Sequence, residues 1–266
     1  FELQRDGVEG FRLLQRAAHI GKVVLSVHDT RPCWSQSRGC ATTGAGKVSV
    51  SGGTGGLGLL FGSWMAECGV EGLVLLSRSG TVGKGARMHW GSLGSSACNQ
   101  HGGVTVELCD VKMQHEACVT VGRGTAGLVH SAGVLADALL PNQTQEGLQK
   151  VWGPKAAAAW AIHAACCKSI GQAKIFVLFS SVAALLGNPG QANYAAANAC
   201  LDALARERQE RGLAGTSAQW GASAGVGMAV ASGAVEQLEE QGMGVVMEEQ
   251  GVRALELALS NVAAVA

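Results

Sequence analysis

The chain's single tyrosine, Tyr194, is the residue whose surroundings first indicate chemistry. It lies thirteen residues after Ser181 and four residues before Asn198. A phenol can donate a proton and a serine hydroxyl can hydrogen-bond a carbonyl oxygen, so this spacing is suited to the reduction of a carbonyl group. The alternative is a half-buried tyrosine whose hydroxyl found an ordinary hydrogen-bond partner. Tyr194 alone does not decide between the two.

A glycine-rich segment at 51–58, SGGTGGLG, is the second candidate site. It satisfies the GxGxxG spacing and follows an apolar run at 48–50. Chance matches are easy in a chain with 39 glycines, but a strand before and a helix after are the context that dinucleotide binding requires. Glycines there allow close approach of the backbone to a pyrophosphate, and the helix amides point at the anion. The residues predicted to bind the cofactor in this turn are Ser51, Gly52, Gly53, Thr54, Gly55, Gly56, Leu57 and Gly58.

Two further positions bear on the choice of cofactor. Ser77 and Arg78 end the second predicted strand, about 20 residues past the last glycine. A carboxylate at this place suits the ribose of NAD, whereas an arginine suits a 2′-phosphate, so we predict NADPH. A solvated arginine is the alternative. Asp110, after the third strand, is a candidate for the adenine amino group and equally for a turn cap.

Six short apolar runs, with helices between most of them, predict the architecture. An alternation of this kind indicates an α/β fold, a doubly wound parallel sheet of the Rossmann type, with ligands beyond the carboxyl ends of the strands. The predicted strands lie at 48–50, 73–76, 104–108, 127–130, 175–179 and 216–220, and the main helices at 144–168 and 194–211. A glycine- and serine-containing stretch without periodicity, 28–46, is predicted to be a linker between 1–27 and the domain at 47–266.

The composition excludes several functions. The 266 residues contain 20 basic and 20 acidic side chains, which gives no electrostatic case for nucleic acid or an anionic membrane. No apolar stretch reaches the roughly 18 residues that span a bilayer. The nine cysteines include no CxxC pair, so we predict no metal site and reduced thiols in a cytoplasmic location, or an organelle, without a targeting segment.

From Lys47 onward the chain resembles the ketoreductase domain of type I polyketide synthases and of animal fatty acid synthases, in the short-chain dehydrogenase/reductase superfamily. The resemblance spans nearly 200 residues, and its most specific block lies at 176–205. The matching blocks are SGGTGGLG (51–58), LVLLSRSG (73–80), HSAGVLADALL (130–140), PKAAAAW (154–160), FVLFSSVAALLGNPGQANYAAANACLDALA (176–205) and WGASAGVGMA (220–229).

The resemblance implies a four-residue active site made of Lys155, Ser181, Tyr194 and Asn198. Ordinary superfamily members have lysine four residues after the tyrosine, where this chain has asparagine. The synthase ketoreductases exchange the two positions, and Lys155 on the preceding helix fits that exchange. The implied cofactor site also takes in Val111 and, from the HSAG block, Ser131, Ala132 and Gly133.

The implied reaction is NADPH-dependent reduction of the β-keto group of an acyl thioester. The acyl chain would be carried on the phosphopantetheine of an acyl carrier protein domain, within a synthase that contains other catalytic domains. Ser181 would hydrogen-bond the carbonyl oxygen and Tyr194 would protonate it. The ammonium of Lys155 would favour the phenolate of Tyr194, lowering its pKa, and Asn198 could order a water.

Markers of product stereochemistry resemble the B-type ketoreductases, which form the D-configured hydroxyl. Asp137 keeps the last aspartate of their leucine-aspartate-aspartate motif, although the middle position is Ala136. Pro189 and Asn193 match the same subclass, and Leu186 stands where the opposite type usually has tryptophan. A solvated loop aspartate is the alternative for Asp137.

The flanking regions and three departures from the family pattern leave two alternative functions open. Residues 1–27 resemble the end of an enoylreductase domain, and a carrier domain is expected after 266. The segment between Asp110 and His130 is shorter than the resemblance implies, and Ala222 and Ser223 stand where the family favours a proline and an aromatic residue. We expect these 266 residues not to include the structural half-domain that supports the catalytic half in the family. The alternatives are a stand-alone short-chain reductase of a small carbonyl compound and an inactive NADPH-binding structural domain of a synthase.

Overall fold

The computed structural model describes an α/β sheet structure over most of the chain after residue 45. The described residues are 46–83, 86, 87, 89–91, 93, 103–113, 116, 125–168, 173–225, 227, 228 and 244–263. They all belong to the unit Cys40–Ala266, one of two units into which the chain divides. The predicted enoylreductase-like tail at 1–27, nearly all of the predicted linker and most of the shortened segment before His130 lie outside these residues.

Six parallel strands form one sheet in the order β3-β2-β1-β4-β5-β6. Their bounds are β1 Lys47–Ser51, β2 Gly72–Ser77, β3 Val104–Leu108, β4 Thr125–His130, β5 Ile175–Ser181 and β6 Thr216–Trp220. β2 and β4 lie on opposite sides of β1, so the winding direction changes between β1 and β4 and leaves a crevice at their carboxyl ends. The predicted doubly wound parallel sheet, of the Rossmann type, is confirmed.

Helices cover both faces of this sheet. Those with bounds in the described part are α1 Gly56–Glu67, α2 Gln145–Trp152, α3 Ala158–Lys168, α4 Ala183–Leu186, α5 Ala192–Glu210 and α6 Glu248–Ala263, with a 3-10 turn at Leu140–Asn142. The single helix predicted at 144–168 differs from the structure, because a π-helical segment, Gly153–Ala157, joins α2 to α3. Pro154 has no N–H to donate, so the α-type hydrogen-bond ladder is interrupted at this place.

Two apolar layers hold the helices to the sheet. On one face Leu59 and Phe61 of α1 and Leu255 of α6 pack against the strands, and each is nearly or fully buried. On the other face Ile162 of α3 and Leu201 of α5 are fully buried in a second layer. Burial on both faces explains why the central strands β2, β4 and β5 read as apolar runs rather than alternating ones.

The thiols differ in part from the prediction. Cys109, Cys166, Cys167 and Cys200 carry reduced thiols. The same expectation is wrong for Cys68, which is disulfide-bonded. The prediction had rested on cysteine spacing, and the chain contains no CxxC pair that would have indicated a bonded cysteine.

Neither a membrane span nor a metal cluster occurs in the part of the chain that the structure describes. No helix there is both long and apolar enough to cross a bilayer. No group of three His, Cys, Asp or Glu side chains there could hold a metal ion.

Arg208, near the end of α5, is a buried cation that contacts Phe176 of β5 and His163 of α3. Its side chain is 2% exposed, and its guanidinium carbon lies 3.6 Å from the ring centroid of Phe176. Nε donates to the Ala214 carbonyl at 2.6 Å and Nη1 donates to His163 Nδ1 at 2.7 Å. Burial, followed by the guanidinium charge, lowers the pKa of His163, which keeps that ring a neutral acceptor.

We expect Arg208→Lys to lower the free energy of unfolding by about 2 kcal/mol, because an ammonium can neither stack on Phe176 nor make both directed hydrogen bonds. Chemical denaturation followed by circular dichroism measures the change. Arg206→Lys is the matched control, since Arg206 is exposed on the same helix. Equal stability of the two variants would contradict the assigned role of Arg208.

Candidate active site

The carboxyl end of β1 touches the carboxyl end of β4 through a glycine. Gly52 follows Ser51 with φ of 67°, a left-handed conformation that glycine adopts without strain. A Cβ at Gly52 would lie 2.8 Å from the Cα and N atoms of Ala132. Ser131 fixes the contact, because its N–H and its Oγ both donate to the Ser51 carbonyl, at 3.0 and 2.8 Å. The two predicted cofactor segments are thus brought together.

The first turn of α1 is suited to bind an anion. Gly55 is its N-cap residue and no side chain caps this end, so the first backbone N–H groups are available to a ligand. A Cβ at Gly58 would collide with the Gly52 carbonyl oxygen, and one at Gly53 would lie 2.7 Å from the Val50 oxygen. The glycine turn before α1 is therefore compact. The first turn of α1 contains no acidic residue, so the site fits the pyrophosphate of a dinucleotide.

Ser77 and Arg78 have different surroundings. Ser77 is buried, and its Oγ accepts from Thr54 Oγ1 at 2.8 Å and from Gly80 N at 3.1 Å. Its hydroxyl therefore stabilises the glycine turn from β2. Arg78 is exposed directly beyond the carboxyl end of β2, and its contact with a nucleotide stays a prediction.

Asp110 shows the turn-capping arrangement. Its Oδ1 accepts from the backbone N–H of Lys112 at 3.2 Å, and its Oδ2 lies 3.3 Å from Lys112 Nζ. Its own N–H donates to Glu116 Oε2 at 2.7 Å. The carboxylate is thus engaged within its turn, and its contact with adenine stays a prediction. Val111 is buried beside it.

Lys155 is a buried ammonium presented by the π-helical segment. Its side chain is 3% exposed, and Nζ donates to the Phe179 carbonyl of β5 at 3.0 Å. Nζ also lies 5.3 Å from the ring centroid of Tyr194. Burial lowers the pKa of Lys155 to about 8, and the negative charge of Asp202 opposes that shift. A Cβ at Gly133 would lie 3.2 Å from Nζ, so glycine leaves room for the lysine.

Tyr194 is in the first turn of α5, two residues after the helix begins, and is 9% exposed. Burial raises the pKa of its phenol, while side-chain hydrogen bonds with Asn198 and Ser181 partly oppose the rise. The net shift is upward because desolvation outweighs these hydrogen bonds, and the expected stabilisation of the phenolate by Lys155 stays a prediction. The phenol stays protonated at neutral pH, as a proton donor must.

Asn198 completes the group on the face of α5 that carries Tyr194. Its Nδ2 donates to the Tyr194 carbonyl at 2.8 Å, and the residue is fully buried. Its Oδ1 is buried and has no hydrogen-bond partner among the described residues. A buried acceptor without a donor carries a free-energy cost, which a bound water or ligand would remove. The four predicted catalytic residues thus meet in one place.

The predicted stereocontrol residues lie beside this group. Asp137 Oδ2 accepts from Gln191 Nε2 at 3.0 Å, so this carboxylate is tethered to the loop before α5. Asn193 is buried, donates to the Ala136 carbonyl at 2.7 Å and accepts from Tyr194 N at 2.7 Å. Leu186 is 76% exposed and Pro189 is also exposed, at the rim of the site.

Two residues near Lys155 were missed by the sequence reasoning. His130 is fully buried and hydrogen-bonds both Ser51 and the Lys155 carbonyl. Asp202 lies one turn past Asn198, and its carboxylate accepts from Ser217 Oγ at 2.5 Å and Gln219 Nε2 at 2.8 Å. The period of four along α5 could have indicated Asp202, whereas no spacing in the chain indicates the partners of His130.

Comparison with known proteins assigns the family. The family model described as the KR domain matches residues 46–225. The chain is 35% identical over 260 residues to a type I polyketide synthase of phenolphthiocerol synthesis from Mycobacterium marinum, covering 94% of this chain and 12% of that protein. It is 39% identical over 223 residues to a polyketide synthase of Streptomyces halstedii, covering 82% of this chain and 4% of that protein.

Solved structures agree with this assignment. An A1-type ketoreductase has 33% identity and a TM-score of 0.74, over 83% of this chain and 47% of that one. The first ketoreductase of the tylosin polyketide synthase has 33% identity and a TM-score of 0.71, over 83% of this chain and 48% of that one. A short-chain dehydrogenase of Burkholderia cenocepacia, solved with NADP, shares the fold at 19% identity and a TM-score of 0.64, covering 80% of this chain and 89% of that chain.

The chain therefore spans about half the length of these solved ketoreductases and a small share of the multidomain synthases that it matches. The match to the KR model extends from β1 to just past β6, and it contains the glycine turn and all four predicted catalytic residues. The chain belongs to the ketoreductase domains of polyketide synthases.

Proposed function

We propose that this ketoreductase reduces the β-keto group of an acyl thioester carried on the phosphopantetheine of an acyl carrier domain, with NADPH as the reductant. The observation that carries the proposal is the protonated, buried phenol of Tyr194, hydrogen-bonded with Ser181 and Asn198 beside the ammonium of Lys155. A proton donor and a hydroxyl converge on the place where a carbonyl oxygen gains charge during reduction.

Ser181 and Tyr194 have different roles at the carbonyl oxygen of the substrate. Ser181 ends β5, and its Oγ accepts from Ala183 N at 3.2 Å, which fixes the hydroxyl beside Tyr194. The Ser181 hydroxyl donates to the substrate oxygen, and the phenol of Tyr194 gives that oxygen its proton. Because burial raises the pKa of Tyr194, the phenol reaches the reaction protonated, and it gives up its proton as developing negative charge makes the carbonyl oxygen more basic.

Proton resupply to Tyr194 is the role that we assign to Lys155 and Asn198. The ammonium of Lys155 faces the phenol ring and stabilises the phenolate left after proton transfer. The unpartnered Oδ1 of Asn198 is an acceptor for a water that would link the two groups. The exchange of lysine and asparagine between two helices therefore keeps the same groups around the tyrosine.

A nicotinamide dinucleotide fits the edge of the sheet where β1 and β4 end. The uncapped first turn of α1 would hold the pyrophosphate, and the close contact of Gly52 with Ala132 shapes the adjoining crevice. When bound, the cofactor supplies the hydride that reduces the carbonyl carbon. Arg78, exposed after β2, would hold the 2′-phosphate and so favours NADPH over NADH.

The stereochemical proposal is that the product hydroxyl has the D configuration of B-type ketoreductases. Its support is the tether between Asp137 and Gln191, together with Asn193, which binds the Ala136 carbonyl in the same loop. This loop and the start of α5 form one side of the substrate entrance. Similar solved structures include A-type ketoreductases by their titles, so chiral chromatography of the product is the deciding measurement.

The alternatives are separated by the choice of substrate. A stand-alone reductase would reduce free trans-1-decalone as well as a β-ketoacyl chain on a phosphopantetheinylated carrier domain. A synthase ketoreductase should prefer the carrier-bound chain in kcat/KM. An inactive structural domain would bind NADPH and reduce neither, and that result would refute the proposal.

We expect Tyr194→Phe to lower kcat on the order of 100-fold to 10,000-fold, since the general acid is removed. The Kd for NADPH should change little, because the tyrosine hydroxyl is assigned no nucleotide contact. Steady-state kinetics and fluorescence titration of NADPH measure the two quantities. Turnover close to that of the wild type would show that another group donates the proton.

We expect Arg78→Glu to weaken NADPH binding by about tenfold or more and to leave NADH binding nearly unchanged, because only the phosphorylated ribose gains from the guanidinium. Isothermal titration with both nucleotides measures this. Arg206→Glu, on the exposed face of α5, makes the same charge change away from β2. Equal losses for NADPH and NADH in Arg78→Glu would point to a general loss of the nucleotide site.

The pKa of Lys155 should govern the alkaline limb of the kcat/KM profile. Since burial lowers this pKa to about 8, the ammonium is lost, and activity falls, as the pH rises through about 8. Asp202→Asn removes a charge that raises the pKa, so the limb should move to lower pH. Ser217→Ala is the control, because it removes a hydrogen bond to the same carboxylate and keeps the charge.

The same shift predicts how stability depends on pH. Between about 8 and the ordinary lysine value of 10.5, the unfolded chain binds the proton and the folded chain does not. The contribution of Lys155 to the free energy of unfolding therefore increases with pH across that window.

For the activity profile, an alkaline limb of kcat/KM that stays in place in Asp202→Asn would contradict the coupling of Asp202 to Lys155.

A further inference from the structure

His130, the last residue of β4, joins two parts of the site that the chain places 104 residues apart, Ser51 and Lys155. Its Nδ1 lies 2.5 Å from the hydroxyl oxygen of Ser51, at the start of the glycine turn. Its Nε2 lies 2.9 Å from the carbonyl oxygen of Lys155, within the π-helical segment. The ring is fully buried, so both hydrogen bonds are shielded from water.

The partners of the ring determine its tautomer. A carbonyl oxygen only accepts, so Nε2 carries the hydrogen and donates to Lys155. Nδ1 is then the acceptor, and the hydroxyl of Ser51 donates to it. Burial, reinforced by the charge of Lys155, lowers the pKa of His130 to about 3. The ring is therefore neutral at every pH at which the enzyme works, and it does not exchange protons with substrate.

Lys155 is thereby held at two points. Its side chain is directed by the Phe179 carbonyl of β5, and its backbone is fixed by His130 of β4. The residues after His130 also shape the nucleotide turn, because Ser131 donates twice to the Ser51 carbonyl. A displacement of the glycine turn at Ser51 would therefore move the rigid ring of His130, and with it the backbone of Lys155.

We propose that His130 is a positioning residue that couples the nucleotide-binding turn to the catalytic lysine. The proposal rests on the function proposed above, in which Lys155 acts on Tyr194. It differs from a role in packing, because each ring nitrogen has its own task. Nδ1 orients Ser51 and the nucleotide turn, and Nε2–H fixes the backbone that presents the ammonium.

Two substitutions separate these tasks in the full chain. His130→Asn places an amide oxygen near the position of Nδ1 and removes the donor to Lys155. His130→Gln places an amide N–H near the position of Nε2 and removes the acceptor for Ser51. Three quantities are measured for each protein: the Kd for NADPH, the kcat for a carrier-bound β-ketoacyl chain, and the titration midpoint of Lys155. The midpoint is followed by NMR on 13C-lysine, with the resonance assigned from Lys155→Met.

We expect the two variants to diverge. His130→Asn should retain NADPH affinity and lose kcat on the order of tenfold to a hundredfold, because the lysine is displaced from its working position. Its Lys155 midpoint should rise from about 8 towards 10.5 as the loosened segment admits water. His130→Gln should keep the midpoint and weaken NADPH binding. Indistinguishable variants, or a midpoint equal to that of the wild type in both, would overturn the proposal.

A failure of the proposed function has a different signature. If the wild type reduces no ketone, that function fails, while the Lys155 midpoints still decide the role of His130. If the His130 variants do not fold by circular dichroism, Ser51→Ala removes the hydrogen bond to Nδ1 without altering β4. Weaker NADPH binding with an unchanged Lys155 midpoint is then the expected result, and unchanged NADPH affinity would refute the coupling.

Discussion

The burial of one positive charge constrains the rest of this site. An ammonium that is 3% exposed loses most of its hydration, and the loss is tolerated only where other groups replace the water. For Lys155 these are the Phe179 carbonyl, the face of the Tyr194 ring and the more distant charge of Asp202. They come from β5 and α5, so the lysine can be buried only when sheet and helix are assembled.

Much of the fold could be predicted because it depends on patterns local in sequence. Every predicted strand end lies within two residues of the observed one, and the central strands β2, β4 and β5 were the clearest because they are largely buried apolar runs. The glycine turn was also predictable, because a Cβ at Gly52 or Gly58 is sterically excluded and the spacing of glycines records that exclusion. Tyr194 and Asn198 were predictable as a pair because one helical turn separates them.

What could not be predicted depends on contacts between distant segments. The pairing of His130 with Ser51 and Lys155 leaves no periodic trace, since the three residues lie on three different elements. The direction of the Tyr194 pKa shift required the balance between desolvation and hydrogen bonding, which only the packed structure provides. The family resemblance places a lysine charge near the tyrosine, but it contains no information on the burial that raises the pKa of the phenol.

The π-helical segment that presents Lys155 makes the chain sensitive to the number of residues in it. An α-helix turns by about 100° per residue, so deletion of one residue from Gly153–Ala157 would rotate the helical phase by roughly that angle. Either the ammonium would leave the pocket, or α3 would turn its buried face away from the sheet. Loops of such domains can change length freely, whereas this short alanine-rich stretch behaves as a fixed spacer. Its residue count therefore fixes where the ammonium of Lys155 lies, independent of which apolar side chains occupy the other positions.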